Sequence, residues 1–233
     1  MSKSKQPKLL SEVLAEGIGT FVLIFTGTGA IMVNTITEGT ITHFGICFVF
    51  GAIVTAVIYA IGHISGAHIN PAVTLAFWSS KVLPTNKVLP YILSQFSGGV
   101  LASLLLKIIF GNVANMGATL PLSDNWLQSL TIEIILTFIL MFIVLGSGLD
   151  RRAPVGFAGI AVGLTVTLEA IFMGPITGAS MNPARSLAPA LIAHLWQHQW
   201  LYIIGPIIGA QLAVWVYRQL SNNFHDFNSS ELI

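Results

Sequence analysis

Asparagine, proline and alanine follow one another twice in this chain, at Asn70-Pro71-Ala72 and at Asn182-Pro183-Ala184, and Arg185 comes next after the second. Asparagine is a strong helix N-cap, and proline suits the first helical position. The cap uses the side-chain oxygen to accept backbone N–H groups, which leaves the amide nitrogen to donate. Two short helices that begin this way, N-terminus to N-terminus, would present two amide donors backed by two positive helix ends. Such a place can hold an uncharged hydrogen-bonding solute and repel a cation.

The two motifs belong to a longer repeat. Gly62, Ser65, Gly66, Ala67, Asn70, Pro71 and Ala72 correspond at a constant offset of 112 residues to Gly174, Thr177, Gly178, Ala179, Asn182, Pro183 and Ala184. Further out, the stretch from Glu16 to Phe21 parallels that from Glu133 to Phe138, and Tyr91 and Gly98 parallel Tyr202 and Gly209. The spacing predicts two halves, about 10–110 and 127–220, within one transmembrane channel domain over 1–233. A polar cytoplasmic tail is expected at 221–233.

The elements that must position the motifs follow from composition. Of the 233 residues, 54% are hydrophobic and 8% charged, against about 25% charged in an ordinary soluble domain. With so few charges the surface must face lipid. The net charge of +1 includes no basic block suited to nucleic acid. Six stretches are long and apolar enough to span a bilayer, roughly 11–33, 41–61, 90–110, 128–149, 155–174 and 199–219. The first, which carries Glu12 and Glu16, is read as a retained span rather than a cleaved signal. Asn70 to Trp78 and Asn182 to Ile192 are too short to span and follow glycine-rich segments, so they are read as re-entrant half-helices. With three spans per half, the second half must insert upside down, and inverted repeats place their shared site near the bilayer midplane. Lys3, Lys5, Lys8, Lys81, Lys87, Arg151, Arg152 and Arg218 all fall on one side, whereas 34–40 and 111–127 hold neither Lys nor Arg. By the positive-inside rule that side, with both termini, is cytoplasmic.

Acids inside spans need a reason. Glu16 and Glu133, one in each half, are read as acceptors for re-entrant backbone N–H groups rather than as a proton relay. His63 and His68 flank the cytoplasmic mouth and are read as loop support or pore acceptors, with pH gating as the alternative. Glu169 has no acidic counterpart (Val57 aligns with it); it either holds the outer loop or touches the vestibule. Cys47 is the only cysteine, so neither an intrachain disulfide nor a cysteine-cluster metal site can form, and no histidine set has metal-ligand geometry. No cofactor is called for. An enzyme would need a nucleophile–base pair or a metal cluster, and the sequence offers neither.

The paired motifs, the span glutamates, Ser65-Gly66-Ala67-His68 and Gly205-Pro206 resemble the major intrinsic proteins, the aquaporins and aquaglyceroporins, over about residues 10–220. Gly174 to Leu187 is most similar to the nodulin-26-like branch and its bacterial relatives. The resemblance implies an all-α membrane fold of six transmembrane helices plus two re-entrant half-helices, one pore per protomer, and a homotetramer in the cell (inner or plasma) membrane. Carried over by spacing, the family's selectivity filter falls on Phe50, Ala170, Ala179 and Arg185. Strict water channels tend to have Phe, His, a small polar residue and Arg there; glycerol facilitators tend to have Trp, Gly, Phe and Arg. Two alanines should leave a wider, less polar hole. Ser186 and Ala190, where glycerol facilitators have Asp and a basic residue, point instead to a water channel. The expected function is passive passage of water and small uncharged solutes (glycerol-like polyols, urea or metalloid hydroxides), with protons and ions excluded. The alternatives are a strict water channel, an ion channel or proton-coupled transporter, and a closed, junction-forming relative.

Overall fold

The computed structural model describes residues 8–221. The expected cytoplasmic tail, apart from Ser221, lies outside the described residues. In chain order the helices are α1 (Leu9–Ile36), α2 (Thr42–Ser65), α3 (Pro71–Ser79), α4 (Thr85–Phe110), α5 (Trp126–Val144), α6 (Ala158–Thr177), α7 (Pro183–Ala193) and α8 (Leu201–Leu220). A π-helical turn, Leu145–Leu149, prolongs α5. With that extension, six of the described helices are long and apolar enough to cross a membrane. The other two, α3 with 9 residues and α7 with 11, are half-helices. The chain is thus an all-α, multi-pass membrane protein.

Polarity is arranged for lipid. Ile18, Leu101, Ile108, Leu168 and Trp215 are exposed on the outer faces of the long helices, while Glu16, Gln95 and Glu133 are fully buried. Glycine sets the helix crossings. A Cβ on Gly98 would fall 2.0 Å from the Gly17 carbonyl oxygen, and one on Gly209 2.2 Å from that of Ile134. These contacts press α1 on α4 and α5 on α8 backbone to backbone, as small residues allow in lipid. α2 crosses α6 at Gly51 and Gly163, where an added Cβ would lie 2.3 Å and 2.5 Å from the opposite residue's carbonyl oxygen.

The glycine-rich stretches expected as loops from Gly62 and Gly174 are helical for their first four residues, so α2 reaches Ser65 and α6 reaches Thr177. Both helices stop where Gly66 and Gly178 adopt φ of +85° and +82°, a cap conformation that costs glycine little. Pro175 sits inside α6 without an N–H for the Ile171 carbonyl. The His43 ring supplies the missing donor, its Nε2 lying 2.8 Å from that oxygen.

Basic residues gather at one end. Lys87 pairs with Glu12 at 2.7 Å, and Arg218 donates to the Ser79 carbonyl. Arg152 holds Asp150, which also accepts from the Tyr217 hydroxyl. The hydrogen bond from Arg152 keeps the Asp150 carboxyl well below the usual carboxylate range. Lys107, on the other side, donates to the Ile192 carbonyl at 3.2 Å.

Candidate functional site

A cavity of about 540 Å³ runs between the two halves, and Phe50, His68, Asn70, Ala170, Ala179, Asn182 and Arg185 all line it. Its shape begins with the backbone that leads into α3 and α7. Ala67 and Ile69 take φ of +48° and +44°, and their counterparts Ala179 and Met181 take +41° and +53°. Left-handed backbone is unfavourable for such residues, most of all for β-branched Ile69. Something must hold it, and in each half a buried glutamate does.

Glu16 accepts from Ser65 Oγ at 2.7 Å, from the backbone N–H groups of His68 and Ile69 at 2.8 and 2.6 Å, and from Gln95 Nε2 at 2.8 Å. Glu133 accepts from Thr177 Oγ1 at 2.7 Å and from the N–H groups of Ser180 and Met181 at 2.9 and 2.8 Å. Serine, histidine and isoleucine of the first half are therefore matched by threonine, serine and methionine at the 112-residue offset. Tyr202 adds a bond from its hydroxyl to the Thr177 carbonyl at 2.7 Å, and the Tyr91 hydroxyl lies 3.1 Å from the Ser65 carbonyl. Carboxylates filled with donors in this way suit a structural role and not a relay.

The half-helices begin as the motifs predict. Asn70 Oδ1 accepts from the N–H of Ala72 at 2.9 Å, and Asn182 Oδ1 from those of Ala184 and Arg185 at 3.0 and 3.3 Å. Pro71 and Pro183 occupy the first helical positions. The amide nitrogens differ from expectation. Asn70 Nδ2 donates to the Met181 carbonyl at 2.7 Å and Asn182 Nδ2 to the Ile69 carbonyl at 2.8 Å. Each nitrogen has two hydrogens, so one ties the halves together and one remains for the lumen. The strained residues Ile69 and Met181 are the ones whose carbonyls receive these ties.

Arg185 is buried, and its Nη1 donates to the Gly117 carbonyl at 2.7 Å. Its Cζ lies 4.9 Å from the centre of the Phe50 ring, a cation–π distance. Gly117 belongs to a left-handed run, Ala114 to Gly117, in the connection between α4 and α5. The same connection is pinned by Thr119, whose hydroxyl is 2.6 Å from that of Ser186. Ser186 also bonds Ser180, at 2.5 Å. Neither Ser186 nor Ala190 is among the residues that line the cavity.

His68 is both a packing group and a lining residue. Its ring stacks on Phe77 at 4.4 Å, and its Nδ1 is 3.1 Å from Thr74 Oγ1. His63 does not fit its expected role: it is exposed on the last turn of α2 and is not part of the cavity wall. It stands two residues before buried Ser65, about 200° round the helix, and so falls on the opposite, outer face. Sequence reasoning missed Gln95, Gly117 and His43, which lie far from the motifs along the chain, and Ser180, which lies two residues before Asn182. The signal available was Ser180, which aligns with His68 in the repeat.

Glu169 fits neither role considered for it. Both of its carboxyl oxygens are buried without a hydrogen-bond partner among the described residues, and it does not line the cavity. An unsatisfied buried polar group costs about 1–3 kcal/mol. Glu169→Leu, of similar volume, is expected to raise the thermal midpoint of the purified protein by roughly 2–4 °C per kcal/mol recovered. A lower midpoint would mean that the acid has a favourable partner.

Comparison with known proteins gives a consistent result. Residues 3–217 match the family model described as "Major intrinsic protein". The maize (Zea mays) protein "Aquaporin NIP1-1" is 45% identical over 209 residues, which cover 89% of this chain and 74% of that protein. "Nodulin-26" of Glycine max is 44% identical over 209 residues, covering 89% and 77%. Among solved structures, the aquaglyceroporin from Plasmodium falciparum superposes with a TM-score of 0.82 over 91% of this chain and 97% of that one, at 23% identity.

Proposed function

The chain belongs to the major intrinsic protein family, and from that premise we propose that it is a passive pore for water and small uncharged solutes. Glycerol-like polyols are the intended solutes, with urea and metalloid hydroxides as further candidates, and protons and ions are excluded. Its work is transport and not catalysis. The observation that carries the reading is the make-up of the wall around Arg185. Of the four filter positions only Phe50 and Arg185 are large, and the α4–α5 connection contributes only Ala114, Gly117 and Ala118 to the lining. Glu169 is not part of that lining, so it does not fill the space that Ala170 and Ala179 leave. Phe50 offers an apolar wall for a polyol's carbons, and Arg185 offers donors for its hydroxyls.

Asn70 and Asn182 form the central constriction in this reading, Glu16 and Glu133 hold the re-entrant backbone, and Arg185 repels cations. The protein sits in the cell membrane with both termini cytoplasmic. In support, Lys81, Lys87, Arg152 and Arg218 lie at one end, and the connections at the other end hold no Lys or Arg. It assembles as a homotetramer with one pore per protomer, as its relatives' family implies. A midplane of two amides and apolar walls disfavours the ion-channel alternative, since it would strip an ion of water without repayment.

The test is stopped-flow light scattering on proteoliposomes, comparing water, glycerol, urea and an uncharged metalloid hydroxide in one preparation. Wild-type protein should pass water and at least one of the other solutes. Ala170→His restores bulk to the filter. Overpacking costs typically about 1–3 kcal/mol, so solute flux should fall roughly tenfold to a hundredfold and water flux much less. Wild-type protein that conducts water but excludes all three solutes would leave the strict water channel as the reading.

A further inference from the structure

Gly27 lies on α1, is buried, and takes no part in the cavity lining. A Cβ built on it would fall 2.2 Å from Phe50 Cε1, 2.5 Å from Cδ1 and 2.6 Å from Cζ. Those three atoms are consecutive and form one edge of the ring. The ring's face meets the Arg185 guanidinium, and Phe50 borders the cavity. The aromatic wall of the filter is therefore sunk into a notch that exists only because residue 27 has no side chain.

We propose that Gly27 sets the bore of the filter from behind, by seating the Phe50 ring against α1 and away from the lumen. The inference rests on the proposed pore function and assigns a positioning residue to its filter. The mechanical argument is short. Carbon atoms in contact sit about 3.5–4.0 Å apart, so a methyl at position 27 must drive the ring edge back by more than ~1 Å. α2 cannot retreat as a body, because the next residue, Gly51, already meets α6 with no room for a Cβ between it and the Gly163 carbonyl. The side chain of Phe50 must yield instead. Arg185 lies over one face, so the open direction is the cavity, where Ala170 and Ala179 leave space. One methyl group that never touches a solute would thus narrow the passage. Neighbouring Gly19 shows that α1 uses the same device deeper in: its absent Cβ makes room for Ile69 and Ile61, each 2.7 Å away from where it would be.

The experiment compares wild type, Gly27→Ala, Phe50→Leu and the double variant in proteoliposomes, reading water and glycerol permeability from the same vesicles. Alanine is the better helix former, so the single variant has no local reason to unfold. Gly27→Ala should lower the glycerol-to-water flux ratio about tenfold, the loss expected of an overpacked contact. Gly27→Ala/Phe50→Leu should return the ratio to that of Phe50→Leu, because leucine has no ring edge to displace. An unchanged ratio in Gly27→Ala, or a double variant as restricted as the single one, overturns the proposal. Wild-type protein that excludes glycerol counts against the polyol reading and not against the seat. In that case water flux reads the seat, falling in Gly27→Ala and recovering in the double variant, and no fall overturns it. Should Gly27→Ala fail to fold, recovery of folded protein in the double variant supports the seat, and failure of both refutes it.

Discussion

Glu133→Leu is expected to lower the thermal midpoint of the detergent-purified protein by about 10 °C or more, and Glu16→Leu by more still. Glu133 satisfies one hydroxyl and two backbone N–H groups. Leucine would leave all three donors buried, at about 1–3 kcal/mol each. A chain of this size loses roughly 2–4 °C per kcal/mol. Within a bilayer no water can take over, which is why irregular backbone at that depth must be satisfied by protein. Glu16 serves a fourth donor, the Gln95 amide, so its removal costs more. Loss of either acid also frees a left-handed segment whose carbonyl ties the halves through Asn70 or Asn182. Glu133→Gln keeps one acceptor oxygen but turns an N–H towards other N–H groups, and should fall between leucine and wild type. Leucine variants within a few degrees of wild type would refute the acceptor role.

Arg185→Val is expected to raise monovalent cation and proton leak by up to about a hundredfold while water flux stays within a few-fold of wild type. A cation passing about 5 Å from the guanidinium, at an effective dielectric constant near 20, meets roughly 3 kcal/mol of repulsion, or about two powers of ten in rate. The two half-helix N-termini remain as a second barrier, so exclusion should weaken without vanishing. Arg185→Lys keeps the charge but cannot reproduce a planar fork held at once by the Gly117 carbonyl and the Phe50 face. It should therefore keep cations out while changing the glycerol-to-water ratio. The measurements are voltage-clamped proton and potassium flux beside osmotic water flux in the same proteoliposomes. A valine variant as tight to cations as wild type would remove Arg185 from charge exclusion.

The sequence alone determined the span count, the half-helices and the pairing of the two halves. Those features are periodic or repeated along the chain, and the bilayer permits few backbone arrangements. Asn70, Asn182, Glu16 and Glu133 could be found because each has a twin at a near-constant offset. Tertiary structure decided what the repeat could not carry. Which carbonyl an asparagine nitrogen meets depends on a contact between residues 69 and 182 or 70 and 181, more than a hundred positions apart. The extension of α6 through Pro175 depended on a donor, His43, arriving from α2. The last turn of α2 set the outward aim of His63. The space around Glu169 and the notch at Gly27 are properties of packing, where a few tenths of an ångström separate contact from clash. Sequence spacing specifies which residues share a helix face, and only the folded chain specifies what stands opposite that face and how close it comes.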